Sequence, residues 1–254
     1  MSGAERPHTL VVGGTRGIGR AVARRLAEDG QIVSIIGRRA LAPDALQAQV
    51  KSWSADVSVA DQRDGALADI VGVQGSVSGV VLLQRYRGNG DDWAGEMATS
   101  VTATRALLEW AGEHLVDRGS GKAVVVVSSI ASGSVASEQP VSYHVAKAAM
   151  SQMVRYYAVS LGPRRVRVNA ICPGTIVKEE SQGFYVDHPE IDALYREIVP
   201  LGRMGRSEDV ANLAAFLLSG GAAFLTGQNI VLDGGASLQS HESLSRRITG
   251  TRLR

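Results

Sequence analysis

Cysteine is nearly missing from this 254-residue chain: Cys172 stands alone, so no intrachain disulfide framework exists. A lone cysteine fits a reducing compartment. Charge of one sign is missing too. The formal net charge is +2, with acids and bases interspersed, which gives no reason to expect a nucleic-acid partner. No apolar run approaches the roughly 18–20 residues needed to cross a bilayer, and MSGAERPHT lacks the apolar stretch of a signal peptide. The expected location is therefore the cytoplasm, with no membrane partner. Pro- or Ser-rich linkers, internal repeats and low-complexity stretches are all wanting. A single domain over 1–254 is expected, its core at about 9–235, with a short basic tail at the end.

Short apolar runs alternate with longer amphipathic segments. The runs are 9–13, 32–37, 79–83, 123–128, 166–171 and 229–233. Helical patterns lie around 23–29, 103–115, 144–161 and 208–219. Continuous apolar strands separated by helices indicate a parallel sheet covered on both faces. The expected fold class is therefore α/β, a Rossmann-like doubly wound parallel sheet binding its ligands at the carboxyl ends of the strands. Residues 178–199 are polar, dotted with aromatics and irregular, and read as a substrate lid carrying Phe184, Tyr185 and Tyr195.

Two motifs carry chemistry. Tyr143 and Lys147 are four residues apart and share one helical face. A lysine cation beside a phenol favours the phenolate and moves proton exchange toward neutral pH. Ser129, closing the run at 123–128, can hold a substrate oxygen against that phenol. This is equipment for reducing a carbonyl or oxidising an alcohol. The second motif, Gly13-Gly14-Thr15-Arg16-Gly17-Ile18-Gly19, follows the first strand and leads into an amphipathic helix. Its glycines let backbone approach a pyrophosphate, whose charge the helix N-terminus favours.

The chain resembles the short-chain dehydrogenase/reductase family. The resemblance is carried by VVGGTRGIG (11–19), Asp56-Val57, VVVVSS (124–129), Tyr143-x-x-x-Lys147, VRVNAICPG (166–174), PLGRMG (200–205) and LTGQNIVLDGG (225–235). It runs from about Thr9 to Gly235, and PLGRMG looks most like bacterial 3-oxoacyl-thioester reductases. By this resemblance Ser129 orients the substrate oxygen, Tyr143 exchanges the proton, and Lys147 poises the phenol and holds the nicotinamide ribose. Gly13, Thr15, Arg16, Gly17, Ile18 and Gly19 would cradle the dinucleotide. Asp56 and Val57 would take the adenine, while Pro173, Gly174 and Ile176 close the nicotinamide side. Family members that use NAD usually carry an acid after the second strand. Arg38 and Arg39 stand there instead, and guanidinium groups suit a 2′-phosphate. NADP(H) is the expected cofactor, and no metal is expected.

Three positions depart from the family. Gln84-Arg85-Tyr86-Arg87-Gly88 replaces Asn-Asn-Ala-Gly, Ser100 falls at the catalytic asparagine, and Lys178 replaces a threonine near the cofactor. Residues 236–254 extend past the family's usual end, with Leu238, Leu244 and Ile248 at near-helical spacing, able to cover a subunit or a pocket mouth. The reading carried forward is an NADPH-dependent ketone reductase acting on a small-molecule carbonyl. Its alternatives are a non-redox dehydratase, isomerase or cyclase, and a nucleotide-binding scaffold or partner subunit. Leu107, Trp110, Met150, Met153, Tyr156 and Tyr157 put apolar residues on several faces of the helices that usually form subunit contacts. A homotetramer is expected, with a dimer as the smaller possibility.

Overall fold

The computed structural model describes residues 6–39, 41, 49–88 and 91–251. The first five residues and residues 252–254 of the basic tail lie outside them. The strands are β1 (His8–Val12), β2 (Ile32–Gly37), β3 (Val50–Ser54), β4 (Gly79–Leu82), β5 (Lys122–Val127), β6 (Val166–Pro173), β7 (Ile176–Val177), β8 (Gly205–Arg206) and β9 (Asn229–Leu232). The α-helices are α1 (Gly17–Glu28), α2 (Ala60–Gln74), α3 (Trp93–Glu96), α4 (Ala103–His114), α5 (Val141–Leu161), α6 (Gln182–Asp187), α7 (Pro189–Ile198), α8 (Ser207–Leu218) and α9 (His241–Thr249).

Among the described residues, one seven-stranded sheet runs β3-β2-β1-β4-β5-β6-β9, and β7 pairs with β8. Every neighbouring pair in the large sheet is parallel, for example Val11 against Ile35 on one side and Val81 on the other. Parallel strands need crossovers, so both faces are covered and the strands stay apolar along their length. One face packs Leu107, Leu108, Met150 and Val154 beneath the sheet. The other packs Val22 and Leu26 of α1 against Leu217 of α8. Chain order reverses between β1 and β4, which opens a crevice at the carboxyl ends of the strands.

Four details differ from the sequence reading. β3 and α2 fell outside the predicted runs. Residues 178–199 are not irregular: they form a 3₁₀ turn (Glu179–Ser181), α6 and α7. The C-terminal extension is a helix laid on α7, with Gln239 Nε2 donating to Ile198 O at 2.6 Å and Arg247 Nη1 to Glu197 O at 3.2 Å. Leu107, Met150 and Tyr157 belong to the core and are not free for subunit contact, whereas Tyr156 is exposed. Between α3 and α4 the helix widens into a π-turn, Met97–Thr102. Such turns store a local irregularity that often accompanies a functional site.

Candidate active site

The glycine turn is built by backbone geometry that other residues resist. Gly13 and Gly17 have φ of 86° and 52°, a left-handed region that glycine enters without a steric penalty. A side chain at Gly19 would run into the Gly13 carbonyl. The turn delivers the N-terminus of α1 into the crevice, and no side chain caps that end. An uncapped helix start favours an anion. The donor set therefore fits a pyrophosphate.

A cleft of about 1020 Å³ gathers nearly all the predicted residues. Gly13, Thr15, Arg16, Ile18 and Gly19 line one wall, with Gly17 in the same turn. Arg38 and Arg39 come from the end of β2, and Asp56 and Val57 from the segment after β3. Asp56 is held in place by Ser58, whose hydroxyl and backbone N–H donate to Oδ1 at 2.6 and 3.0 Å. The Ser58 hydroxyl also draws the Asp56 carboxyl below its ordinary range. At the opposite end stand Ser129, Tyr143, Lys147, Pro173, Gly174, Ile176 and Lys178. Ser100 is the exception. It is fully buried and outside the lining, its hydroxyl donating to Glu96 Oε1 at 2.5 Å.

The α5 helix sets Tyr143 and Lys147 on one face, as their spacing requires. Lys147 Nζ lies 5.6 Å from the Tyr143 ring centroid and donates to Val127 O at 3.2 Å. Only 4% of the lysine is exposed. Burial pulls its pKa from 10.5 down to about 8, while Glu96 pulls the other way and Arg85 reinforces the fall. Its helix is anchored below by Ser128, whose hydroxyl donates to Lys147 O at 3.0 Å. Ser129 stands at the head of a 3₁₀ turn, its hydroxyl oxygen accepting from Ala131 N at 3.1 Å.

The bulky segment after β4 has a structural answer residue by residue. Gln84 is buried and donates to Thr104 Oγ1 at 2.7 Å. Arg85 places its guanidinium 5.0 Å from the Tyr143 ring centroid and is held by Gln139 Oε1 at 2.9 Å. Two basic side chains thus lie within 6 Å of one phenol ring. The Tyr86 hydroxyl donates to Asp92 Oδ2. Arg87 meets Glu180 at 3.6 Å, and a Cβ placed on Gly17 would lie 2.9 Å from Glu180 Oε2. An acid from the segment 178–199 therefore stands before the glycine turn. Lys178 lines the cleft beside these groups, and burial lowers its pKa with Arg85 adding to the fall.

Sequence reasoning missed Glu96, Gln139 and Glu180. Only Glu96 carried a signal, its spacing of four from Ser100 on one helical face.

Comparison with known proteins agrees with this geometry. Residues 12–237 match the family model described as enoyl-(acyl carrier protein) reductase. A tropinone reductase homolog of Arabidopsis thaliana is 31% identical over 250 residues, covering 90% of each chain. Human dehydrogenase/reductase SDR family member 4 is 30% identical over 241 residues, covering 89% of this chain and 86% of its own. A solved short-chain type dehydrogenase/reductase from Mycobacterium ulcerans superposes with a TM-score of 0.79 at 30% identity, over 98% of this chain and 97% of its own. A glycine turn under a seven-stranded parallel sheet, a serine, a tyrosine and a lysine at one cleft, and relatives along almost the whole length lead to one assignment: the chain belongs to the short-chain dehydrogenase/reductase family of nicotinamide-dependent oxidoreductases.

Proposed function

We propose that this protein is an NADPH-dependent reductase that converts a ketone to an alcohol, with Tyr143 as proton donor. The observation that carries the reading is the convergence of Ser129, Tyr143 and Lys147 on the cleft that also holds the glycine turn and Arg38. Bound NADPH would supply the hydride. Gly13, Gly17 and Gly19 make room for its pyrophosphate, and Arg38 and Arg39 supply the charge for a 2′-phosphate. Arg16 stands in the same turn, and Asp56, its carboxylate held by Ser58, would take the adenine amino group. Ser129 and Tyr143 hold the ketone oxygen by hydrogen bonds. Tyr143 gives up its proton as negative charge grows on that oxygen, and the charge left on the phenol is stabilised by Lys147 and Arg85. The substrate class favoured is a 3-oxoacyl thioester or polyketide-like ketone, supported by PLGRMG and by the acyl-carrier wording of the matched family description. We place the enzyme in the cytoplasm as a single domain over 1–254 and as a homotetramer. Exposed Tyr156 and Val159 on α5 are available to a subunit contact.

A second reading, nucleotide binding without hydride transfer, is favoured by Glu180 before Gly17 and by Arg85 over Tyr143. One experiment separates the two. NADPH and NADH are titrated by fluorescence, and oxidation is followed at 340 nm with ketones and 3-oxoacyl thioesters, for the wild type and Tyr143→Phe. Tighter binding of NADPH than NADH is expected, with turnover lost by about 10²–10⁴-fold in Tyr143→Phe and binding retained. Product formation without NADPH consumption would support the non-redox chemistry instead. Tight binding with neither product nor consumption would support the scaffold.

A further inference from the structure

The interior of the described structure contains one buried carboxylate and one buried ammonium, and they belong to neighbouring elements. Glu96 and Lys147 are each 4% exposed, and no other Asp, Glu, Lys or Arg among the described residues is buried. An isolated charge in a protein interior is costly unless something compensates it. Glu96 closes α3 at the edge of the π-turn, and its carboxylate accepts the Ser100 hydroxyl at 2.5 Å. The lysine ammonium is engaged by Val127 O at 3.2 Å and by Met150 Sδ at 3.8 Å, neither of which carries a formal charge. The two groups do not touch, so their attraction acts across a water-poor interior that screens it weakly.

We propose that Glu96 is a positioning residue of the proton-transfer site: clasped by Ser100, its carboxylate holds Lys147 as a cation behind Tyr143. The charges facing Lys147 come from every side. Arg85 after β4 and Lys178 at the start of the segment 178–199 oppose its protonation; Cys172 on β6 and Glu96 favour it, Glu96 more strongly than Cys172. Tyr143 shares its helix and lies within 5.6 Å of the ammonium. The carboxylate thereby offsets part of what burial and the two neighbouring cations take away. Ser100 lies four residues beyond Glu96 and orients the acid from outside the cleft. The role in turnover rests on the reductase reading; the electrostatic coupling does not.

The test is a pH titration of the Lys147 ¹³Cε resonance in the cofactor-free protein, assigned with Lys147→Met, alongside the pH profile of ketone reduction. Glu96→Gln should move the lysine midpoint down by about 0.5–1 pH unit, less than a pair in contact would show. The alkaline limb of kcat/KM should follow it, with activity at pH 8 falling roughly two- to fivefold. Glu96→Asp should restore both. If Glu96→Gln does not fold, Glu96→Met with Ser100→Ala replaces both partners by apolar groups, a change that interiors tolerate better. It should move the midpoint in the same direction. An unmoved lysine midpoint overturns the proposal, and so does a moved midpoint with an unmoved kinetic limb. Wild-type protein that reduces no ketone counts against the reductase reading alone, and the lysine midpoint then decides.

Discussion

Lys147 is retained in the interior at a cost to folding. Its pKa stands at about 8 in the folded chain against an ordinary 10.5. A lowered lysine value means that the unfolded chain binds the proton more tightly. The penalty is therefore complete below pH 8 and fades as pH rises toward 10.5. At neutral pH its ceiling is on the order of 3 kcal/mol. Lys147→Met removes the penalty but leaves Glu96 without its attraction, which trims the gain. We expect the variant to be inactive yet to melt a few degrees higher at pH 7, with the difference closing by about pH 10.5. Thermal melts at pH 7 and pH 10 check this; an equal gain at both would show that charge burial is not its cause. The same residue shows what sequence conveys about a site. The spacing to Tyr143 was legible because helical geometry is local. The burial, and the acid that compensates it, were not, because they depend on how α3 and α5 pack.

Among the elements, β1 carries a titratable group at its base. His8 is fully buried, with Nδ1 3.0 Å from Gly75 O and Nε2 2.8 Å from Ser34 Oγ. Burial holds its pKa below 6.5. A depressed histidine contributes stability that is complete above the unfolded value near 6.5 and is lost as pH falls below it, because only the unfolded chain gains the proton there. Urea unfolding of the wild type should weaken between pH 7.5 and 5.0, and His8→Gln should be less stable at pH 7.5 but flatter across that range. Equal pH slopes would assign the acid sensitivity to other groups. The strands themselves were legible wherever a run was continuously apolar. β3 escaped because VKSWS lies at the sheet edge and only Val50 of it is buried. α2 escaped because Gly65 and Gly72 interrupt it and only Ala66, Leu67 and Ile70 are buried. α7 was hidden for a different reason: it packs against α6 and α9, and none of its residues is buried in the main core.

On the scale of the whole molecule, the lid and the glycine turn are tied together. Arg20 meets Glu179 at 3.3 Å and Arg87 meets Glu180 at 3.6 Å, so the segment after Lys178 bridges both to α1 and to the loop that follows β4. These are partly exposed pairs worth little individually. Glu180→Ala should tighten NADPH binding about two- to fivefold by removing the acid from in front of Gly17; weaker binding would mean that Glu180 helps to hold the cofactor. Family and fold were readable from motifs spread along the chain, whereas this contact joins residues 17, 87 and 180 and no local pattern announces it. If a dinucleotide phosphate occupied the glycine turn, the Glu180 carboxylate before Gly17 would have to leave it, and entry would exchange one anion for another. An exchange of anions leaves the surrounding ion atmosphere nearly as it was. NADPH affinity should consequently depend on ionic strength less steeply than a cleft bearing this many cations would suggest, and Glu180→Ala should restore the steeper dependence.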